Sequence, residues 1–158
     1  GECRAGVRLV FAALPGLRRA ADVCGDGSSV KAATRATMGS EHAEQAALVQ
    51  WAAWKQGACP ALRLLHAIPN GGKRDPVTAA RMKAEGVRAG VPDLCLSCPR
   101  GGFHALYIEM KVGRNRPSPE QQEWAALLRA EGYRVETCYG WQAAAQVIAD
   151  YLGIETGL

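Results

Sequence analysis

Apolar and polar residues alternate along two neighbouring stretches of the chain, which predicts two β-strands. From Pro92 to Cys98 and from His104 to Val112, apolar side chains recur at every second position, the period typical of strands. The intervening segment, Pro99-Arg100-Gly101-Gly102, has the composition of a tight turn. The sequence therefore predicts a β-hairpin with one apolar face and one polar face.

Helical patterns surround this hairpin, and their start signals are local. Ser118-Pro119-Glu120-Gln121 combines a serine cap, proline at the first helical position and glutamine three residues after the cap. In chain order we predict a helix over 41–56, a strand over 62–68, a short helix over 76–85, the hairpin, a helix over 119–131, a strand over 133–138 and a helix over 141–152. This order predicts an α/β fold with a small mixed sheet flanked by helices.

A chain of 158 residues is long enough for one domain with a real core. Residues 1–37, rich in Ala, Arg and Gly, are predicted to be a poorly packed extension, and residues 38–158 the functional domain. No apolar run approaches the roughly 20 residues needed to span a bilayer, so no membrane association is expected. The six cysteines are scattered, as expected for reduced thiols in the cytoplasm of a bacterial or phage-infected cell.

The predicted hairpin brings two acids together. If pairing is centred on Gly101, Asp93 lies opposite Glu109, and if it is centred half a residue earlier, Glu109 lies one step away. Directly opposed residues have Cβ atoms about 5 Å apart, and two carboxylates that close repel each other unless a cation lies between them. Lys111 shares the face of Glu109, so the polar face of the hairpin carries all three charges.

Two close carboxylates offer oxygen ligands, which suit Mg²⁺ or Mn²⁺ better than zinc. Such an ion neutralises a substrate phosphate, and Lys111 is placed to stabilise charge that develops on it. The simpler interpretation is a salt bridge between Lys111 and one of the acids. A third interpretation, a zinc or redox site at Cys95 and Cys98, lacks partner ligands at metal spacing.

Basic residues flank the acidic pair, although the net charge is only +4. A glycine-containing turn over residues 69–74, between the first predicted strand and the hairpin, exposes main-chain amides that can approach a phosphate. Arg114, three residues after Lys111, adds a further positive charge. The alternative is an ordinary turn with solvated surface charges. The residues predicted to contact nucleic acid are Asn70, Gly71, Gly72, Lys73, Arg74 and Arg114.

Three motifs together resemble the PD-(D/E)XK nuclease superfamily, and more closely its VRR-NUC domain family, including small stand-alone phage-type members. They are Gly90-Val91-Pro92-Asp93-Leu94, Tyr107-Ile108-Glu109-Met110-Lys111 and Ser118-Pro119-Glu120-Gln121-Gln122. The resemblance covers about residues 40–152. It implies the restriction-endonuclease-like fold and metal-dependent hydrolysis of phosphodiesters.

The resemblance also implies roles for individual residues. Asp93, Glu109 and the main-chain carbonyl of Met110 are expected to bind the metal, with Lys111 as the catalytic lysine. Gln121 matches the glutamine on the following helix, and a capping-box role for it is compatible with this one. The family also has an acid on its first helix, which either Glu41 or Glu44 can supply. The spacing from Glu41 to Glu44 and Leu48 favours Glu41.

The expected function is that of an endonuclease for DNA, with little sequence preference and with branched or structured DNA, such as junctions or flaps, as substrate. Presenting two active sites to a four-way junction requires a homodimer. The alternative is a catalytically inactive module that binds nucleic acid on the same fold. The intact Asp93, Glu109 and Lys111 argue against this alternative.

Overall fold

The computed structural model describes residues 39–69 and 75–158. The predicted extension, residues 1–37, and the turn residues Asn70, Gly71, Gly72, Lys73 and Arg74 lie outside the described residues. The elements are α1 (Glu41–Lys55), a 3₁₀ helix (Pro60–Leu64), β1 (Leu65–Ala67), α2 (Pro76–Ala84), β2 (Leu94–Leu96), β3 (Leu106–Lys111), α3 (Pro119–Ala130), β4 (Arg134–Tyr139) and α4 (Trp141–Leu152).

The four strands form one mixed sheet in the order β1-β2-β3-β4. The first three are antiparallel neighbours, and β4 runs parallel to β3 because α3 carries the chain back between them. The predicted α/β fold with a small mixed sheet between helices is confirmed. Within the part of the chain that the structure describes, no helix has the length and apolar character that crossing a bilayer requires.

One face of the sheet forms the hydrophobic core with α1 and α4. Leu94, Leu96, Leu106, Ile108 and Met110 are completely buried there, as the alternation predicted. Each such side chain stabilises the fold by roughly 1.5–3 kcal/mol. The other face carries the polar residues of the hairpin, with α3 packed over β4.

The strand predicted over residues 62–68 is wrong in its first half. Residues Pro60–Leu64 form a 3₁₀ helix, and the strand covers only Leu65–Ala67. Proline at position 60 fixes its φ near the helical value and is favoured at the first helical position. The hairpin strands β2 and β3 are likewise shorter than predicted.

The β2 side of the hairpin contains one residue more than the β3 side, and this bulge sets the register of the two strands. Arg100 and Phe103 pair around Gly101 and Gly102, both of which have positive φ, the conformation of a two-residue hairpin turn. Between that pair and Leu96↔Leu106, three residues on the β2 side face two on the β3 side.

Such a bulge changes which side chains share a face. Extending the tight-turn register without it would place Asp93 opposite Met110, on the core face. The observed pairing of Leu94 with Ile108 instead sets Asp93 beside Glu109, the first of the two predicted registers.

Candidate active site

Asp93 lies immediately before β2 and is held by hydrogen bonds from the chain segments on both sides of it. Its main-chain carbonyl accepts a hydrogen bond from the Ile68 N–H of the segment that follows β1, at 2.8 Å. Its Oδ2 accepts one from the Met110 N–H of β3, also at 2.8 Å. The position of this carboxylate is therefore fixed by the sheet.

Glu109 is buried, with 4 % of its surface exposed. Its Oε1 accepts hydrogen bonds from Lys111 Nζ and from Gln121 Nε2, both at 2.5 Å. Its Oε2 is buried without a hydrogen-bond partner among the described residues. Because an unsatisfied buried carboxylate oxygen is costly, this atom favours a proton or a bound cation.

Lys111 is buried beside Glu109, with 5 % of its surface exposed. Besides the contact with Glu109, its Nζ donates to the Met110 carbonyl at 3.2 Å and lies 3.8 Å from Glu41 Oε2. The salt bridge that offered the simpler interpretation of Lys111 is therefore present. It does not exclude the catalytic interpretation, because it is buried within the acidic cluster rather than exposed on a strand edge.

Burial raises the pKa of Glu109 to about 7. The hydrogen bond from Lys111 opposes that shift, whereas the charge of the Asp93 carboxylate adds to it. For Lys111, burial favours a lower pKa, but the hydrogen bond and charge of Glu109 and the charges of Glu41 and Asp93 outweigh it, so its pKa is raised. Lys111 therefore carries its positive charge at neutral pH, while Glu109 titrates there.

Gln121 joins the start of α3 to this cluster. Its side-chain Oε1 accepts from the Ser118 N–H at 2.9 Å, and its own N–H donates to Ser118 Oγ at 3.3 Å, which completes a capping box. Its Nε2 remains available to donate to Glu109. One side chain thus fixes the helix start and orients the buried carboxylate.

The two acids at the start of α1 have different contacts. Glu41 lies near Lys111 and also accepts a hydrogen bond from Asn115 Nδ2 at 3.1 Å. Glu44 Oε2 accepts from the Trp141 N–H at the start of α4, at 2.8 Å. The geometry therefore places Glu41 at the cluster, and it gives Glu44 a capping role on a second helix that the sequence did not indicate.

The donors in this cluster fit a hard divalent cation. Among the described residues, no three histidine, cysteine or acidic side chains converge closely enough to form a ready metal cage. The cluster nevertheless combines the Asp93 and Glu109 carboxylates with the Met110 carbonyl, all oxygen donors of the kind Mg²⁺ and Mn²⁺ prefer. The partnerless, buried Oε2 of Glu109 is the atom that such an ion would satisfy.

The loop after β3 adds a residue that sequence reasoning missed. Asn115 reaches back 74 positions to Glu41, and no local pattern indicates that contact. Arg114, predicted to contact nucleic acid, is exposed in the same loop.

A cavity of about 320 Å³ opens beside the cluster, between α3 and the polar face of the sheet. Glu109 and Gln121 line it together with residues of α3 and β4. The cavity therefore shares a wall with the acidic cluster.

Comparisons with known proteins point to one family. The chain matches the model of the VRR-NUC domain over residues 29–142. A solved structure described as a VRR_NUC domain protein is 30 % identical to it with a TM-score of 0.62, over 73 % of this chain and 90 % of that one. A search of curated proteins found no match.

Proposed function

Since this chain belongs to the VRR-NUC domain family of nuclease-related domains, we propose that it is a divalent-metal-dependent DNA endonuclease. One observation carries the proposal: the buried Lys111 ammonium contacts the buried Glu109 carboxylate, with Asp93 alongside. A module that only binds a polyanion gains nothing from burying carboxylates where the phosphates approach, because they repel them.

The residues proposed to hold Mg²⁺ or Mn²⁺ are Asp93, Glu109, the Met110 carbonyl and Glu41. When bound, such an ion neutralises phosphate charge and activates water for hydrolysis. The hydrogen bonds from Met110 and Gln121 keep Asp93 and Glu109 in place before substrate arrives, which reduces the reorganisation that catalysis requires.

Lys111 is proposed to act through its charge. Since its pKa is raised, it stays protonated at neutral pH and does not serve as a general base. It instead donates to the phosphoryl oxygens as negative charge develops in the transition state. Replacing it with alanine is expected to lower the cutting rate by about 100-fold or more.

The proposed substrate is branched or structured DNA, such as a flap or a junction, cut with little sequence preference. The proposed contacts, from Arg114 and from the turn with Lys73 and Arg74, are charges suited to phosphates, which position DNA without reading its sequence. A homodimer is proposed for four-way junctions, and light scattering with and without junction DNA tests it.

Cutting assays test the proposal directly. Duplex, flap and junction DNA are incubated with the protein in Mg²⁺, Mn²⁺ or chelator, beside Asp93→Ala, Lys111→Ala and Glu123→Ala. Glu123 is exposed on α3 and serves as the matched control. We expect metal-dependent cutting by the unaltered protein and by Glu123→Ala, with strong losses in the other two variants.

Two outcomes would count against the proposal. Binding of DNA without cutting in either metal would favour the alternative, an inactive nucleic-acid-binding module. Cutting that survives both Asp93→Ala and Lys111→Ala would remove the acidic cluster as the active site.

A further inference from the structure

We propose that the cavity between α3 and the sheet binds an unpaired nucleobase of the cut strand, next to the phosphate that is cleaved. This inference rests on the proposed nuclease function and makes its substrate class more specific. It identifies the cavity as a nucleotide site, a role that the acidic cluster does not require.

The size and lining of the cavity suit a nucleobase. Its volume of about 320 Å³ lies within the range of small-ligand sites, which combine apolar walls with a few polar groups. Pro117 and Ala125 supply flat or small apolar surfaces, and Gln122 and Thr137 supply hydrogen-bonding groups. A planar base with polar edges matches both properties.

The charges around the cavity distinguish between the parts of a nucleotide. Glu109 is one of the residues that line the cavity, and its negative charge disfavours a phosphate placed inside it, whereas an uncharged base meets no such penalty. Arg129 lines the cavity too, and it is exposed to solvent while its Nη2 donates to the Val135 carbonyl at 2.6 Å. Its charge suits the sugar-phosphate backbone outside the cavity.

Continuity with the acidic cluster gives the site its position on the substrate. Glu109 and Gln121 belong both to the cavity lining and to the acidic cluster. A base in the cavity is therefore adjacent to the proposed metal site. A base and its own phosphates are joined through one sugar, which places the adjacent phosphate at the cluster. Because leaving the stack costs least for a base that is already unpaired, the cavity favours flaps and junctions over duplex DNA.

An abasic scan of the substrate tests the inference without altering the protein. The cut position on a flap is mapped first, and single abasic sites are then placed at each of the three nucleotides on either side. We expect an abasic site at one position beside the cleaved phosphate to raise KM about tenfold, which corresponds to about 1.4 kcal/mol of lost binding. The other positions should change KM by less than about threefold.

Two cavity variants link that effect to the protein. Ala125→Leu fills the cavity, and Thr137→Val removes a hydroxyl with little change of shape, whereas Ala126→Leu alters an exposed neighbour outside the cavity. We expect Ala125→Leu to raise KM for the intact flap and to abolish the abasic effect. We expect Thr137→Val to weaken that effect and Ala126→Leu to leave it unchanged.

A fluorescence scan gives a readout that does not depend on cutting. With 2-aminopurine at each position and Lys111→Ala as the protein, in Mg²⁺, we expect one position to change intensity at least about twofold. Combining Lys111→Ala with Ala125→Leu should remove that change.

The outcomes separate this inference from the proposed function. Equal abasic effects at all positions, or effects that persist in Ala125→Leu, would overturn the nucleobase site while the nuclease stands. If no DNA is cut, the proposed function fails, and the fluorescence scan still decides whether the cavity takes a base.

Discussion

Glu44 caps a helix that begins 97 positions further along the chain. Its Oε2 accepts a hydrogen bond at 2.8 Å from the main-chain N–H of Trp141, the first residue of α4. The residue before it, Gly140, has no side chain that can cap α4. The carboxylate therefore satisfies a free amide at the positive end of the helix and joins α1 to α4.

We expect Glu44→Ala to lower the free energy of unfolding by about 1 kcal/mol, the usual cost of losing a helix cap. Urea unfolding followed by circular dichroism measures this change. The matched variant is Glu41→Ala, which lies one helical turn away and contacts Lys111 instead. It should reduce metal-dependent cutting and leave stability nearly unchanged. If Glu44→Ala abolished cutting at full stability, the two roles would be reversed.

Glu109 makes stability depend on pH in the metal-free protein. Its pKa is raised from 4.5 to about 7 by folding, chiefly because it is buried. Because the folded state binds the proton more tightly than the unfolded state, protonated Glu109 contributes its full stabilisation below pH 4.5. That contribution to the free energy of unfolding is lost as the pH rises through about 7. The shift corresponds to a loss of up to about 3 kcal/mol.

In chelator, the free energy of unfolding of Glu109→Gln should therefore rise relative to that of the unaltered protein as the pH increases from 4.5 to 8. A constant difference across that range would contradict the assignment.

Divalent metal should offset this loss of stability at high pH. Metal competes with the proton for Glu109, so Mg²⁺ or Mn²⁺ should raise the melting temperature more at pH 8 than at pH 5.5. At a concentration 100 times the Kd, the added stability is about 2.7 kcal/mol. Differential scanning fluorimetry measures it, and Asp93→Ala should remove the rise. An equal rise in that variant would place the metal elsewhere.

The sequence predicted what local chemistry determines. Ser118 and Gln121 form the expected capping box, because a cap depends on four neighbouring residues. The alternation of Leu106, Ile108 and Met110 gave the core face correctly, since strand periodicity needs only the strand itself.

Contacts between distant parts of the chain could not be predicted in the same way. The extra residue between Leu96 and Arg100 selects the register of the hairpin, and two registers had remained open. The bonds from Asn115 to Glu41 and from Trp141 to Glu44 span 74 and 97 positions. They depend on how the helices pack against the sheet, which no short pattern specifies.

Asn115 is expected to position Glu41. The hydrogen bond from Asn115 Nδ2 to Glu41 Oε1 is 3.1 Å long and exposed, so its loss should cost little stability. Asn115→Ala should raise the Mg²⁺ concentration needed for half-maximal cutting by several-fold, and Asn115→Gln should restore part of the loss. A metal titration of the cutting rate measures both, with Glu123→Ala as the control. An unchanged metal requirement in Asn115→Ala would show that the hydrogen bond has no part in catalysis.

Gly90 allows the segment before Asp93 to approach α3 closely. Its φ is +86°, and an added Cβ would lie 2.6 Å from the Glu120 carbonyl oxygen and 2.8 Å from Trp124 Cδ1. Gly86 has a similar φ of +96° but open space around it, so Gly86→Ala reports backbone strain alone, roughly 1 kcal/mol. Gly90→Ala adds a steric clash, and we expect it to lower the free energy of unfolding by about 1–3 kcal/mol more than Gly86→Ala does.

Gly90→Ala should also reduce cutting. Gly90 lies only three residues before Asp93, so a backbone shift that relieves the clash is expected to displace the Asp93 carboxylate. Urea unfolding and cutting assays on the two variants measure both effects, and equal stability losses would show that the close approach to α3 is absent.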